Sequence, residues 1–152
     1  MKSLVLSLFC LALSHSFAVD QDQPIKPDSE EWRAVFDPPY LKPTELPTDS
    51  PLRKELFDQL RPQVERIARQ PALFEGSLRV FKNWAMFSGR SLDAKGASLK
   101  LPALDNDDTV ALWLRTFDGW KLVDFGAGHS DAFFIVWPEK FGAPKELVLD
   151  HP

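Results

Sequence analysis

Four groups of residues carry side chains with chemistry in them. The first is Asp124, His129 and Asp131, spread around Gly126-Ala127-Gly128. A histidine flanked by carboxylates has the makings of a general base, with one Asp orienting the ring. No nucleophile stands in an identifiable context beside them, and Ser130 or Asp131 also suits a simple cap on the segment that follows. His129 and Asp131 are therefore weak candidates, and no catalytic residue is assigned. The second group, Asp105, Asn106, Asp107 and Asp108, offers hard oxygen donors of the kind calcium takes. It lacks the donor intervals, glycine turn and distal Glu of a calcium loop, so no metal site is expected. The third, Gly126-Ala127-Gly128, resembles a phosphate cradle only in its first residues. It follows a strand of an antiparallel hairpin and lacks the later glycine and lysine, so no cofactor is expected.

The fourth group is the most substantial. Trp84, Trp113 and Trp120 supply large flat apolar area with polar handles, and Arg115 and Asp124 lie close to them in sequence. Placed on one face of a sheet, these five residues would line a pocket. Arg79, Arg90 or Arg115 would then be available for an anionic ligand. Covered completely, the same residues become a second layer of core.

The elements that must position them read as follows. Residues 109–126, TVALWLRTFDGWKLVDFG, are two alternating apolar runs around Asp118-Gly119, a strong hairpin signal. A two-residue loop there pairs Phe117 with Trp120, Leu114 with Val123 and Leu112 with Phe125. One face is then Val110, Leu112, Leu114, Val123 and Phe125. The other is Trp113, Arg115, Phe117, Trp120, Leu122 and Asp124. A second hairpin turns at Lys82-Asn83 and pairs Phe81 with Trp84. It sets Leu78, Val80, Ala85 and Phe87 against an opposite face of Arg79, Phe81, Trp84, Met86, Ser88 and Arg90. Aliphatic on one side and aromatic-plus-arginine on the other, the two hairpins are expected to join with like faces together.

Ser50-Pro51 is a helix start, and Leu52, Leu56, Leu60, Val64 and Ile67 form one apolar stripe to about Arg69. The stripe stays in phase across Pro62, which predicts one kinked helix, and Pro71 ends it. Residues 91–108 read as an exposed loop with a short strand around Ser98 to Leu101. The run Phe133, Phe134, Ile135, Val136, Trp137 and Phe141 is too apolar for a solvated tail, so it should fold back over the aromatic face. The fold class is α+β: one kinked amphipathic helix packed on a four-stranded antiparallel sheet.

Residues 1–18 read as a secretory signal peptide, with Lys2, an apolar core and Ser16-Phe17-Ala18 at the cleavage site. Residues 19–50 hold Pro24, Pro27, Pro38, Pro39, Pro43 and Pro47, a density at which neither helix nor sheet propagates, so they read as an extended leader. Trp32, Phe36 and Tyr40 interrupt the leader at four-residue spacing. Residues 51–148 form the single domain and 149–152 a frayed tail. The chain of 152 residues has a formal net charge of −4 and no run of Lys and Arg, which argues against a nucleic-acid partner. Its one cysteine, Cys10, lies inside the signal, so the mature chain has no disulfide or thiolate chemistry. Absence of disulfides in an exported domain points to a bacterial periplasmic or secreted protein, with no membrane span once the signal is removed.

One helix followed by four antiparallel strands resembles the cystatin-like and nuclear-transport-factor-2-like (NTF2-like) architectures, in which a sheet rolls around a helix. From Leu52 to Val148 the chain is also similar to an uncharacterised family of small exported bacterial proteins. The likeness rests on Leu60-Arg61-Pro62, Trp84-Ala85, Trp120-Lys121-Leu122-Val123, Gly128 with Asp131, and Trp137, Phe141, Gly142 and Pro144. The resemblance implies the fold and the export and brings no activity with it. The expectation is an exported, non-enzymatic binding or protein-interaction module, using the aromatic face or an exposed sheet edge to meet an unknown protein. The alternative is a small-molecule cavity domain or degenerate enzyme of the NTF2-like kind.

Overall fold

The computed structural model describes residues 40–101, 106–128 and 132–149. Strand β1 (Thr44–Glu45) leads into helix α1 (Pro51–Ala68), and β2 (Leu73–Phe81), β3 (Trp84–Leu92), β4 (Asp108–Thr116) and β5 (Gly119–Ala127) follow. A 3₁₀ turn (Phe133–Val136), α2 (Trp137–Phe141) and α3 (Lys145–Val148) complete the described chain. The strands form one antiparallel sheet of five in the order β1-β2-β3-β4-β5. The sheet thus has one strand more than the four expected. The extra one comes from the segment read as leader, where Thr44 pairs with Val80 and Leu46 is buried.

Helix α1 starts and stops where its sequence directs. Ser50 is the N-cap, its side chain accepting from the Arg53 amide, with Pro51 at the first turn. Arg69 closes the helix in the left-handed conformation at φ 57°, and its amide donates to the Glu65 carbonyl. The helix runs on through Pro62, which cannot donate to the carbonyl four residues before it. Its buried face is Arg53, Leu56, Phe57, Leu60 and Val64.

The β2–β3 hairpin has the expected register, Phe81 against Trp84. Its turn places Lys82, not Asn83, at positive φ (53°). The β4–β5 hairpin differs from expectation. Thr116 pairs with Gly119, so the loop is Phe117-Asp118, and Gly119 takes the positive φ (102°) that the turn needs. The Thr116 hydroxyl donates to the Gly119 carbonyl at 2.9 Å and fastens the turn. Further along, the register shifts at Leu112/Trp113: Trp113 pairs with Leu122, but Leu112 pairs with Asp124. This bulge at Val123 reverses the alternation of β5, so Asp124 and Phe125 exchange faces relative to a regular strand.

Two apolar layers result. On one face α1 packs against Leu78, Val80, Ala85, Phe87, Ala111, Trp113 and Ala127, joined by Trp120, Leu122 and Phe125. Ala85 and Ala111 are the small residues around Trp113: one pairs across from it, the other lies two along on its own strand. On the other face Trp137, Ala143, Leu147 and Val148 cover Phe81, Trp84, Met86, Leu112 and Leu114. The C-terminal segment therefore folds back, but over the aromatic side of the first hairpin and the aliphatic side of the second, and Ile135 and Val136 stay exposed. Arg79 secures it by donating to the Leu147 carbonyl at 2.8 Å.

The helix also reaches both margins of the sheet. Gln59 Nε2 donates to the Trp120 carbonyl at 2.9 Å, and Gln59 Oε1 accepts from the Leu122 amide at 3.0 Å, on the outer side of β5. On the outer side of β2, Arg53 donates to the Gly76 carbonyl at 2.8 Å while Glu45 Oε1 accepts from the Leu78 amide at 2.9 Å. Arg53 and Glu45 lie 3.7 Å apart. Burial pulls the Arg53 guanidinium below its ordinary range, and Glu45 opposes that shift. No described helix is long and apolar enough to cross a membrane.

Candidate functional site

The five residues expected to share a face are divided between two. Ala85 pairs with Trp113 and Trp84 with Leu114, so Trp84 and Trp113 point to opposite sides of the sheet. Trp113, Arg115 and Trp120 lie on the helix side, where Arg115 pairs directly with Trp120. Trp84 and Asp124 lie on the side covered by the C-terminal segment. The physical reason is the β3–β4 register. It joins the aliphatic face of the first hairpin to the tryptophan face of the second, because the alanines there leave room for an indole. The bulge at Val123 then carries Asp124 away from Arg115, so the two are not cross-strand neighbours.

Asp124 has a definite role on its own side. Its Oδ2 accepts from Trp137 Nε1 at 3.0 Å, its Oδ1 accepts from the Phe125 amide at 3.0 Å, and Lys140 Nζ stands 3.8 Å away. Trp137 is fully buried. The carboxylate thus anchors the indole that plugs the second core. His129 and Asp131 lie outside the described residues, as does Asp105. Asp107 and Asp108 are described, and among the described residues no group of three or more His, Cys, Asp or Glu could hold a metal ion.

The helix-side remainder of the group holds an unresolved polar account. Trp113 is fully buried and its Nε1–H has no acceptor among the described residues. Asn83 is fully buried as well, although it sits in a hairpin turn, and neither end of its side-chain amide has a partner among the described residues. The Arg115 amide donates to the Asn83 carbonyl at 2.8 Å, which extends the β3–β4 ladder by one residue. By strand alternation Asn83 then falls on the face of Ala85 and Trp113, diagonal to the indole. Buried polar groups left without partners cost about 1–3 kcal/mol each.

Sequence reasoning missed four residues that the structure makes prominent. Arg53 stands in phase with Phe57, Leu60 and Val64, and a charged residue inside an apolar stripe was the signal for it. Asn83 was read only as a turn residue. Gln59 and Glu45 gave no signal, since their importance lies in backbone groups far along the chain.

Exposed apolar residues beside the second core form another notable feature, where Phe133 and Phe134 pack against Trp137 and Ile135 and Val136 face outward. None of Phe133, Phe134, Ile135 and Val136 is buried, and Ile135 and Val136 are 54% and 52% exposed. They stand on the turn directly before Trp137, so the Asp124 contact fixes their position. No protein-family model matches this chain, and comparison with curated proteins and with solved structures found no match.

Proposed function

We propose that this chain is an exported, non-catalytic protein-interaction module of the bacterial cell envelope, and that Ile135 and Val136 form the centre of its contact surface. The observation that carries the reading is their exposure on a turn that leads directly into the buried Trp137. Adjacent large apolar residues kept outside, beside an indole bonded to Asp124, favour a partner-binding surface over incidental exposure. The packing of the body supports it too, because Trp113 is enclosed between helix and sheet and presents no open aromatic wall. Export rests on the signal-like residues 1–18, and the cystatin-like or NTF2-like roll on the packing of one long helix against an antiparallel sheet.

A second reading is favoured by Asn83 and Trp113. Their unpaired groups suit a small molecule that offers both an acceptor and a donor, held between α1 and the sheet.

Native mass spectrometry of the chain recovered from its own host's envelope separates the two. A defined protein complex that is lost in the Ile135→Asp, Val136→Asp variant supports the interaction module. A bound mass of a few hundred daltons, lost on Asn83→Leu, supports the cavity reading instead. A bare chain refutes the module, and a chain absent from the envelope refutes the export.

A further inference from the structure

Both margins of the sheet are closed by the same device. Along β5, Lys121 is paired inward with Leu114, which turns the Trp120 carbonyl and the Leu122 amide outward. Those two groups, flanking one residue, are what a parallel neighbour strand would bond with a single residue of its own. The Gln59 carboxamide supplies that residue's donor and acceptor from a helix. Along β2 the Gly76 carbonyl and the Leu78 amide, flanking Ser77, are filled in the same sense by Arg53 as donor and Glu45 as acceptor. Beyond the bulge, Asp124 Oδ1 takes the Phe125 amide. Unpaired strand edges template pairing with another chain, and side chains that occupy the edge groups suppress it.

We propose that Gln59 is a latch that keeps this protein monomeric, and that β5 is a self-complementary docking strand which pairs with β5 of a second copy when the latch is withdrawn. β5 spans nine residues, so it offers a longer edge than β1, which has two. A two-fold antiparallel pairing centred between Leu122 and Val123 sets Lys121 against Asp124 and Trp120 against Phe125, whose amide then passes from Asp124 Oδ1 to the partner strand. The first is an opposite-charge pair and the second an aromatic pair, both favourable across strands. The occupant is thus a second copy, recognised by the strand's own sequence. The inference is independent of the surface at Ile135 and Val136.

The test uses the purified full chain and its Gln59→Ala variant. Light scattering with size exclusion should give a monomer for the parent and a doubled mass for the variant, at a protein concentration of about 100 µM, where weak strand pairing is populated. Adding Lys121→Glu to Gln59→Ala opposes two acidic side chains across the pairing and should return the monomer. Hydrogen exchange gives a reading that does not depend on the variant folding well. The Leu122 amide of the parent should exchange at least about tenfold more slowly than that of an exposed edge residue, because Gln59 holds it. A parent that dimerises, a folded Gln59→Ala variant that stays monomeric, or fast exchange at Leu122 in the parent would each overturn the latch. Dimers unaffected by Lys121→Glu would overturn the β5 pairing.

Discussion

Replacing Asp124 by alanine separates its anchoring role from any role in ligand binding. The substitution removes the acceptor of Trp137 Nε1, bonded at 3.0 Å, and leaves that donor inside a fully buried residue. A hydrogen bond to a charged group contributes about 1.5–3 kcal/mol, and an orphaned buried donor costs about the same. The other two contacts add little. The Phe125 amide lies on an edge strand, and Lys140 is 61% exposed at 3.8 Å, so solvent screens the pair. The expected loss is about 2–3 kcal/mol, which for a domain of this size lowers the thermal midpoint by about 8–15 °C. Circular dichroism followed through thermal unfolding measures it, and near-ultraviolet signals report the loosened indole. Asp124→Asn, which retains one oxygen acceptor, should lose less than half as much. A midpoint within about 2 °C of the parent for Asp124→Ala would refute the anchoring argument, since no buried donor of this kind is lost so cheaply.

Three further outcomes follow from the same coordinates. Arg53→Met keeps the length of the side chain but strands the Gly76 carbonyl and removes the cation beside Glu45, and chemical denaturation should show a loss of about 1–3 kcal/mol. Gly89→Ala should impair folding more severely, visible as loss of soluble protein, because its Cβ would meet the Glu75 carbonyl oxygen at 2.2 Å and Gly76 Cα at 2.7 Å. Acid should also weaken the fold. The Lys54 hydrogen bond holds the Asp58 carboxyl below its usual range, and the Ala97 and Lys95 amides do the same for Asp93. A carboxyl whose folded value is depressed contributes stability above its unfolded pKa and loses it as pH falls through the folded one. Thermal midpoints should therefore drop below about pH 4, and Asp93→Asn should flatten that part of the profile.

What could be read from the chain, and what could not, divides along physical lines. Local signals worked: Ser50-Pro51 for the start of α1, Phe81 against Trp84 for one hairpin, and apolar bulk at Trp137 for a segment that folds back. Non-local register did not show itself. Whether Trp113 lies beside Trp84 or beside Ala85 depends on how β3 meets β4, and only the space left by small residues decides it. The bulge at Val123 was hidden because Leu122 and Val123 are both apolar and either suits a regular strand. Beta strand β1 was obscured by Pro43 and Pro47, which bracket two residues able to pair. As for the candidate site, tryptophans announce area but not direction. The polar residues that matter most, Gln59 and Asn83, are ordinary in composition and acquire meaning only through backbone groups brought near by folding.

The second apolar layer has a consequence for the order in which the molecule is made. Its sheet half, Phe81, Trp84, Met86, Leu112 and Leu114, is complete once β4 exists, yet its lid of Trp137, Leu147 and Val148 emerges after every strand. A growing chain passes through a stage at which a nearly finished sheet shows one oily side to its surroundings. Such a stage invites aggregation and gives holding chaperones a surface to grip. The stretch that ends this exposure follows every strand in the chain, so burial of that side waits until it has emerged.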